Sequence, residues 1–433
     1  MNGAANIFRV PELRRRIFMT LVLLAVYRIG CYIPVPGIDR EALAYFFQQA
    51  GGIIGLFNLF AGGALKRLSI FALGIMPYIS TAIIMELLTV VIPELGQLKK
   101  EGEYGRRKIN QYVRYGTVLL SFFQGLGLAL GLEAMHGVGG TPVVLNPGWS
   151  FRFVTALTLA TGTTFLMWLG EQITERGIGN GISLIIFAGI VAGIPQAFSN
   201  TFRLIRVGEM NIFLGILIAI LALAVVAFVI FMETSYRRIP IQYAKRIVGR
   251  RIYGGQSAFL PLKLNTSGVI PPIFASSLLM FPMTVTNFIH HPWMDAVRNI
   301  FNPTGFLYNL LYVILIIFFC YFYTAIIFNP VDVAENMKKY GGFIPGIRPG
   351  KPTADYIDKV LSRITLVGGL YVSLVCVLPS ILIGKFHVPF YLGGTALLIV
   401  VGVALDTLQQ IEAHLLTRQY ETLVKGIRIR GRR

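Results

Sequence analysis

Charge is scarce in this chain, and most of it carries one sign. Only 14% of the 433 residues are charged, 20 acidic against 39 Lys and Arg, while 55% are hydrophobic and the mean hydropathy is +0.67. So little polar surface cannot clothe a soluble core of this size, and lipid must be the solvent. Within the apolar stretches the main carboxylates are Glu86 and Asp406, each expected near an interface or in a pair. Ion-coupled transporters and intramembrane proteases normally need buried ionisable groups, and few are supplied here. The five histidines (His136, His290, His291, His387, His414) fall in loops or at span ends, with no spacing suited to a metal or a haem. Cysteine is nearly absent too. Cys31, Cys320 and Cys376 are too scattered for a disulfide framework or a metal cluster and read as small apolar residues in spans.

What is abundant is the long apolar run. A hydrocarbon core of ~30 Å asks for about 20 apolar residues per helix. Ten candidate spans lie near 17–33, 69–92, 115–133, 153–170, 182–198, 212–232, 267–286, 306–328, 364–384 and 390–410. They are continuously apolar rather than alternating, which favours helices over a β-barrel. The first follows Arg14, Arg15 and Arg16 as a signal peptide would, but runs on into Tyr27, Arg28 and Pro34 without a small-residue cleavage site. It is therefore expected to be a retained span with its N-terminus in the cytoplasm. From that start, 30 of the 39 Lys and Arg fall in cytoplasmic segments and 8 in external loops, with Arg28 inside a span. The asymmetry puts both termini in the cytoplasm.

Topology and anionic headgroups account for part of that basic face. The loops at 234–266 and 329–363 ask for more, each being near 30 residues where a short turn would do. They mix Lys245, Arg246, Arg250, Arg251 and Arg348 with Tyr243, Tyr253, Tyr340 and Phe343, and the second contains Ile344-Pro345-Gly346-Ile347-Arg348-Pro349-Gly350. Two stiff projections are expected, docking something large and anionic such as a protein or ribosomal RNA.

Residues 53–66 form an apolar stretch that as a helix would be only ~21 Å long, too short to cross. On the external side it is expected to be a re-entrant half-helix, tolerated at membrane depth only against protein or a water-filled cavity. An amphipathic helix on the outer surface is the alternative. The second span of each half shares a pattern, Gly74-Ile75-Met76-Pro77-Tyr78-Ile79 and Gly268-Val269-Ile270-Pro271-Pro272-Ile273. Five spans per half, an odd number, means that such halves are inverted, as in many transport proteins. The cluster Gly177-Ile178-Gly179-Asn180-Gly181 invites a nucleotide-site reading, but no strand precedes it, and a tight turn opening the fifth span fits better. Ile75 with Ile79, and Ile182 with Ile186, lie one turn apart on one helix face. Lipid-facing or core isoleucines would read the same way.

Four runs carry a resemblance. Gly62-Gly63-Ala64-Leu65, Phe71 through Ser80, Gly170 through Ser183, and Pro345 through Gly350 resemble the SecY family, channel subunits of the bacterial Sec translocon, and the similarity extends over essentially the whole chain. The resemblance implies an all-α polytopic membrane protein, ten transmembrane helices in two inverted five-helix halves (1–200 and 201–433) around an hourglass pore. It implies a passive protein-conducting channel of the bacterial cytoplasmic membrane, not an enzyme and without a cofactor, for export of unfolded preproteins and lateral insertion of membrane proteins. Segment 53–66 falls where the family keeps its external plug, so Phe57, Asn58, Leu59, Phe60, Gly62, Gly63 and Leu65 would belong to it. The constriction ring carries over to Ile75, Ile79, Ile182, Ile186, Ile273 and Ile399, and the side exit for signal sequences to the second, third, seventh and eighth spans. Implied partners are the SecE and SecG subunits, the SecA motor ATPase and the translating ribosome with its RNA, beside preprotein substrates and membrane lipids. Lys245, Arg246, Arg250, Arg251 and Arg348 would do the docking. A small-solute secondary transporter with inverted repeats is the alternative, but it should hold its substrate with polar groups near the midplane, where this chain has isoleucine. An intramembrane hydrolase would need a nucleophile with its base, or a metal.

Overall fold

The computed structural model of the chain describes residues 10–39, 41–43, 62–133, 142–208, 211–243, 246–248, 251–253, 257–288, 305–386 and 393–426. In chain order the helices are α1 (Pro11–Gly30), α2 (Met76–Val91), α3 (Pro93–Lys100), α4 (Glu103–Glu133), α5 (Trp149–Arg176), α6 (Gly181–Val207), α7 (Ile212–Thr234), α8 (Ile270–Phe288), α9 (Phe306–Ile327), α10 (Pro330–Lys339), α11 (Lys351–Phe386) and α12 (Gly394–Gly426). Leaving out α3 and α10, each answers to one of the ten expected spans. Seven of them, α4, α5, α6, α7, α9, α11 and α12, hold a stretch long and apolar enough to cross a membrane alone. α2 reaches that length only together with α3, from which it is bent by 101°. α8 is apolar over the shorter stretch Ile270–Leu279, and α1 carries Arg14, Arg15 and Arg16 near its start.

Helix ends depart from the apolar limits in two directions. α4 begins at Glu103 rather than 115, α11 at Lys351 rather than 364, and α12 continues to Gly426 rather than 410. Hydropathy marks only the lipid-facing length, whereas backbone hydrogen bonding carries a helix on into water. The expected spans 69–92 and 267–286, by contrast, start late, because residues 69–75 and 267–269 are not helical. Gly74 and Gly268 hold left-handed backbone at φ +58° and +64°, which stops a helix from running through them. Two residues on, Met76 and Ile270 open α2 and α8, each with proline (Pro77, Pro271) second in the helix. Proline fits a first turn because its missing N–H is one that would have no partner there. The sequence repeat is therefore a structural repeat with the same register.

The described chain forms two compact units, Met1–Phe202 with Asn287–His290 and Ile399–Arg433, and Arg203–Thr286 with His291–Leu398. In the first, α5 is the central helix, burying Leu159, Leu166 and Ile173, and Gly125 of α4 closes onto Ala156 of α5. Small residues let membrane helices approach this closely where no hydrophobic force drives them together. A second core joins Val35, Leu43, Leu68, Leu132, Val144, Phe151 and Leu159. In the second unit α9 packs on α11, with Ile316, Phe319 and Cys320 buried. α7 leaves most of its apolar surface exposed, as a helix facing lipid would.

Candidate pore helices and candidate docking module

Residues 62–75 run through turns before α2 begins. Backbone at membrane depth must find its hydrogen bonds inside the protein, and this segment does. Val35 N–H donates to the Leu68 carbonyl and Ile70 N–H to the Ile33 carbonyl, both at 2.9 Å, while the fully buried Ser69 hydroxyl accepts from Phe71 N–H at 3.2 Å. Phe71 stacks between Tyr27 of α1 and Phe165 of α5, with centroids 6.2 and 6.0 Å away. Arg28 Nη1 donates to the Gly62 carbonyl at 2.9 Å. Gly62 is wedged so tightly that a Cβ would lie 2.5 Å from Tyr27 Oη and 3.0 Å from Gly189 Cα of α6. A charge inside a span calls for a partner, and Arg28 finds it in a backbone carbonyl.

The half-helix expected at 53–66 is corrected in part. Residues 53–61, including Phe57, Asn58, Leu59 and Phe60, lie outside the described residues, and 62–66 form turns rather than helix. Gly62 and Gly63, at φ +64° and +84°, cannot continue an α-helix. Leu65 packs on the core around Leu68.

The 177–181 cluster is a tight turn, as expected, and three of its amides are engaged by side chains. Ile178 N–H donates to the Thr20 hydroxyl of α1 (3.1 Å), Gly179 N–H to Gln410 Oε1 of α12 (2.9 Å) and Gly181 N–H to the Thr174 hydroxyl of α5 (2.9 Å). Asn180 Oδ1 caps α6 by accepting from Ile182 N–H at 3.1 Å. Three helices thus fix the turn that leads into α6. Glu86 of α2 is paired with Lys99 of α3 across their bend, as expected of a carboxylate in a span, and Asp406 of α12 is exposed.

In the second unit the two basic loops meet. Strand β1 (Tyr236–Tyr243) buries Ile239 and Ile241 on one face, with period two. The hairpin's tip holds β2 (Arg246–Val248) against β3 (Arg251–Tyr253), and β4 (Ser257–Lys263) returns antiparallel to β1. β5 (Gly342–Phe343) comes from the second loop and pairs with Gln242 and Tyr243, giving the order β4-β1-β5. Two strand residues contribute little, about 1 kcal/mol per hydrogen bond. The shared core does more: Ile239, Ile241 and Leu262 of the hairpin bury against Met337, Ile344, Ile357, Val360 and Ile364, at roughly 1.5–3 kcal/mol per fully buried side chain. The two projections are therefore one module. Arg348 stands exposed on it, its carbonyl accepting from Thr353 Oγ1 at 2.8 Å. Arg246 and Arg251 lie in β2 and β3, and Lys245 and Arg250 fall outside the described residues.

A protein translocase subunit SecY from Escherichia coli (strain K12) is 53% identical over 425 residues, 97% of this chain and 96% of the relative. The SecY family model matches residues 69–408. The chain belongs to the SecY family. Its fold is shared with a solved protein-conducting channel (TM-score 0.64, 18% identity, 92% of each chain) and with Sec61 in a canine ribosome-channel complex from the endoplasmic reticulum (TM-score 0.57, 16% identity, 92% of each chain). As a SecY-family member it is a multi-pass, protein-conducting channel subunit, and the small-solute transporter is set aside.

Within that family frame, all six candidate ring residues lie at the cap or in the first two turns of a helix. Ile75 caps α2 and its carbonyl accepts from Ile79 N–H at 3.0 Å; Ile182 and Ile186 begin α6, Ile273 begins α8 and Ile399 begins α12. Ile75, Ile186 and Ile399 are buried, and Ile79, Ile182 and Ile273 half-buried. Ile182 lies against Gly170 of α5, where a Cβ would come within 3.0 Å of its side chain. Ile273 belongs to the second unit and the other five to the first.

Proposed function

We propose that this SecY-family chain is the pore subunit of a Sec translocase in the bacterial cytoplasmic membrane, with both termini in the cytoplasm. It exports unfolded preproteins and releases hydrophobic segments sideways into lipid. The observation that carries this reading is the recurrence of one helix start, left-handed glycine then proline, at α2 and α8. Such a repeat supports two inverted halves, 1–200 and 201–433, with the pore between them. Ile75, Ile79, Ile182, Ile186, Ile273 and Ile399 form its constriction, where branched apolar side chains dewet the closed pore yet offer a passing chain no strong site. Residues 53–66 plug the external side, held at Gly62 by Arg28. The side exit opens between α2, α4, α8 and α9.

The chain is a passive conduit without catalysis or cofactor, so partners supply the energy. SecA and the translating ribosome, through protein or RNA, dock on the β-module at Lys245, Arg246, Arg250, Arg251 and Arg348, a reading supported by the ribosome-bound state of Sec61. SecE and SecG are its companion subunits. The test is reconstitution of the purified complex in vesicles with SecA, ATP and a preprotein. Protease protection of the preprotein inside the vesicles is expected; no protection with any preprotein would overturn the reading.

A further inference from the structure

The turn that starts α8 is held differently from its counterpart at α2. Three residues before the left-handed glycine the first half has Phe71, apolar and stacked, whereas the second has Asn265, only 5% exposed. Asn265 Nδ2 donates to Glu233 Oε1 at the end of α7 (2.7 Å) and to the Gly268 carbonyl (3.0 Å), and its Oδ1 accepts from the Ser267 hydroxyl (3.1 Å). The same Glu233 oxygen accepts from Tyr371 Oη of α11 at 3.3 Å. Beside them Leu264 N–H donates to the Ser235 carbonyl at 3.0 Å, closing the base of the hairpin. One amide thus joins the helix from which β1 departs, the loop by which β4 returns and the turn that leads into α8. Through Glu233 it also reaches α11.

An amide and a carboxylate taken from water are costly unless their bonds are made, and the first half builds the same turn around a phenylalanine. The turn itself does not require the cluster. What rises from these residues in the second half is the docking module. We propose that Glu233, Asn265 and Tyr371 form a positioning latch that transmits partner binding on the module to the start of α8, the helix carrying Ile273. The proposal rests on the docking and pore roles given above. Buried polar groups are best attested as register or switch devices, and coupling between sites needs such a physical connection.

The test uses the reconstituted complex carrying Asn265→Phe, Glu233→Ala, Glu233→Gln or Tyr371→Phe, with SecA affinity and preprotein translocation measured on the same vesicles. Asn265→Phe, which copies the first half, and Glu233→Ala should keep SecA affinity within about twofold while translocation falls about tenfold, a coupling of ordinary size. Glu233→Gln keeps an acceptor oxygen and should translocate like wild type. Should Asn265→Phe fail to insert, Tyr371→Phe, which removes one hydroxyl at nearly constant volume, carries the same expectation. Wild-type translocation in Asn265→Phe and Glu233→Ala overturns the latch, as does a parallel loss of affinity, which marks a merely structural cluster. A wild-type complex that neither binds SecA nor translocates brings down the proposed function, and the latch with it.

Discussion

Reversing the charge at Arg348 separates docking from folding. Its turn is pinned from both sides, with Ile344 4% exposed, Ile347 packed on the module core and the Arg348 carbonyl bound by Thr353. The side chain is exposed and makes no ion pair among the described residues. A surface change of this kind shifts stability by no more than ~0.5 kcal/mol. An arginine anchoring a docked partner is worth about 2 kcal/mol or more, which is roughly 30-fold in Kd. Arg348→Glu is therefore expected to weaken SecA binding about 30-fold while membrane abundance and SecE retention stay at wild-type level. The deficit should shrink with salt, since exposed charges are screened over about 10 Å at 0.1 M. Ile344→Ala is the contrasting control: removing a buried isoleucine costs about 2–5 kcal/mol and should expose the loop to limited proteolysis, which Arg348→Glu should not. Binding titrations on reconstituted vesicles decide the matter. Unchanged affinity in Arg348→Glu would refute the docking role, and its disappearance from the membrane would make Arg348 structural.

Single cysteines near 250 and 348 should react with an impermeant reagent only from the cytoplasmic side, and those near 140 and 203 only from outside; external labelling at 348 in intact cells would overturn the topology. Ile79→Gly, Ile399→Asp and deletion of 57–65 should each raise planar-bilayer conductance, with export surviving the deletion better than the charged ring, because a plug must move aside anyway. Variants as tight as wild type would put the seal elsewhere. Gly162→Ala would place a Cβ 1.9 Å from the Ile70 carbonyl oxygen, forcing α5 off the turn segment at a cost of about 1–3 kcal/mol. A lower melting temperature of the purified complex is expected, and an unchanged one would mean that segment 62–75 yields freely.

Most of the spans were legible because lipid leaves the backbone few ways to satisfy itself, so that apolar length alone identifies seven of them among the described residues. Apolar length says nothing, however, about a buried turn, so residues 69–75 read as span. The punctuation Gly74 and Pro77 marks the true start and was visible in the repeat. For the loop at 234–266, arginines, tyrosines and prolines told of stiffness but not of strands, although Ile239 and Ile241 alternate with Arg238, Pro240 and Gln242. Its pairing with Gly342 and Phe343 is long-range, and no local pattern announces such a pairing. At the site, the isoleucine pairs one turn apart were readable on their helices, while their assignment to a ring came from the family resemblance. Arg28 was visible as a misplaced charge, but its partner is a backbone carbonyl, which leaves no mark in sequence.

The shared core of the β-module also dictates an order of events during synthesis. β1 and β4 emerge together, but β5 and the residues that cover Ile239, Ile241 and Leu262 are made later, up to Ile364. About a hundred residues separate Tyr243 from Gly342, roughly 5–20 s of translation at about 5–20 residues per second. Through that interval the nascent hairpin shows an uncovered apolar face and an open strand edge, the features that invite aggregation. A chain that stalls before its ninth span keeps that apolar face exposed, whereas a completed chain covers it with Met337, Ile344, Ile357, Val360 and Ile364. A half-made chain consequently lacks the finished module surface, whose completion waits for the last third of the sequence.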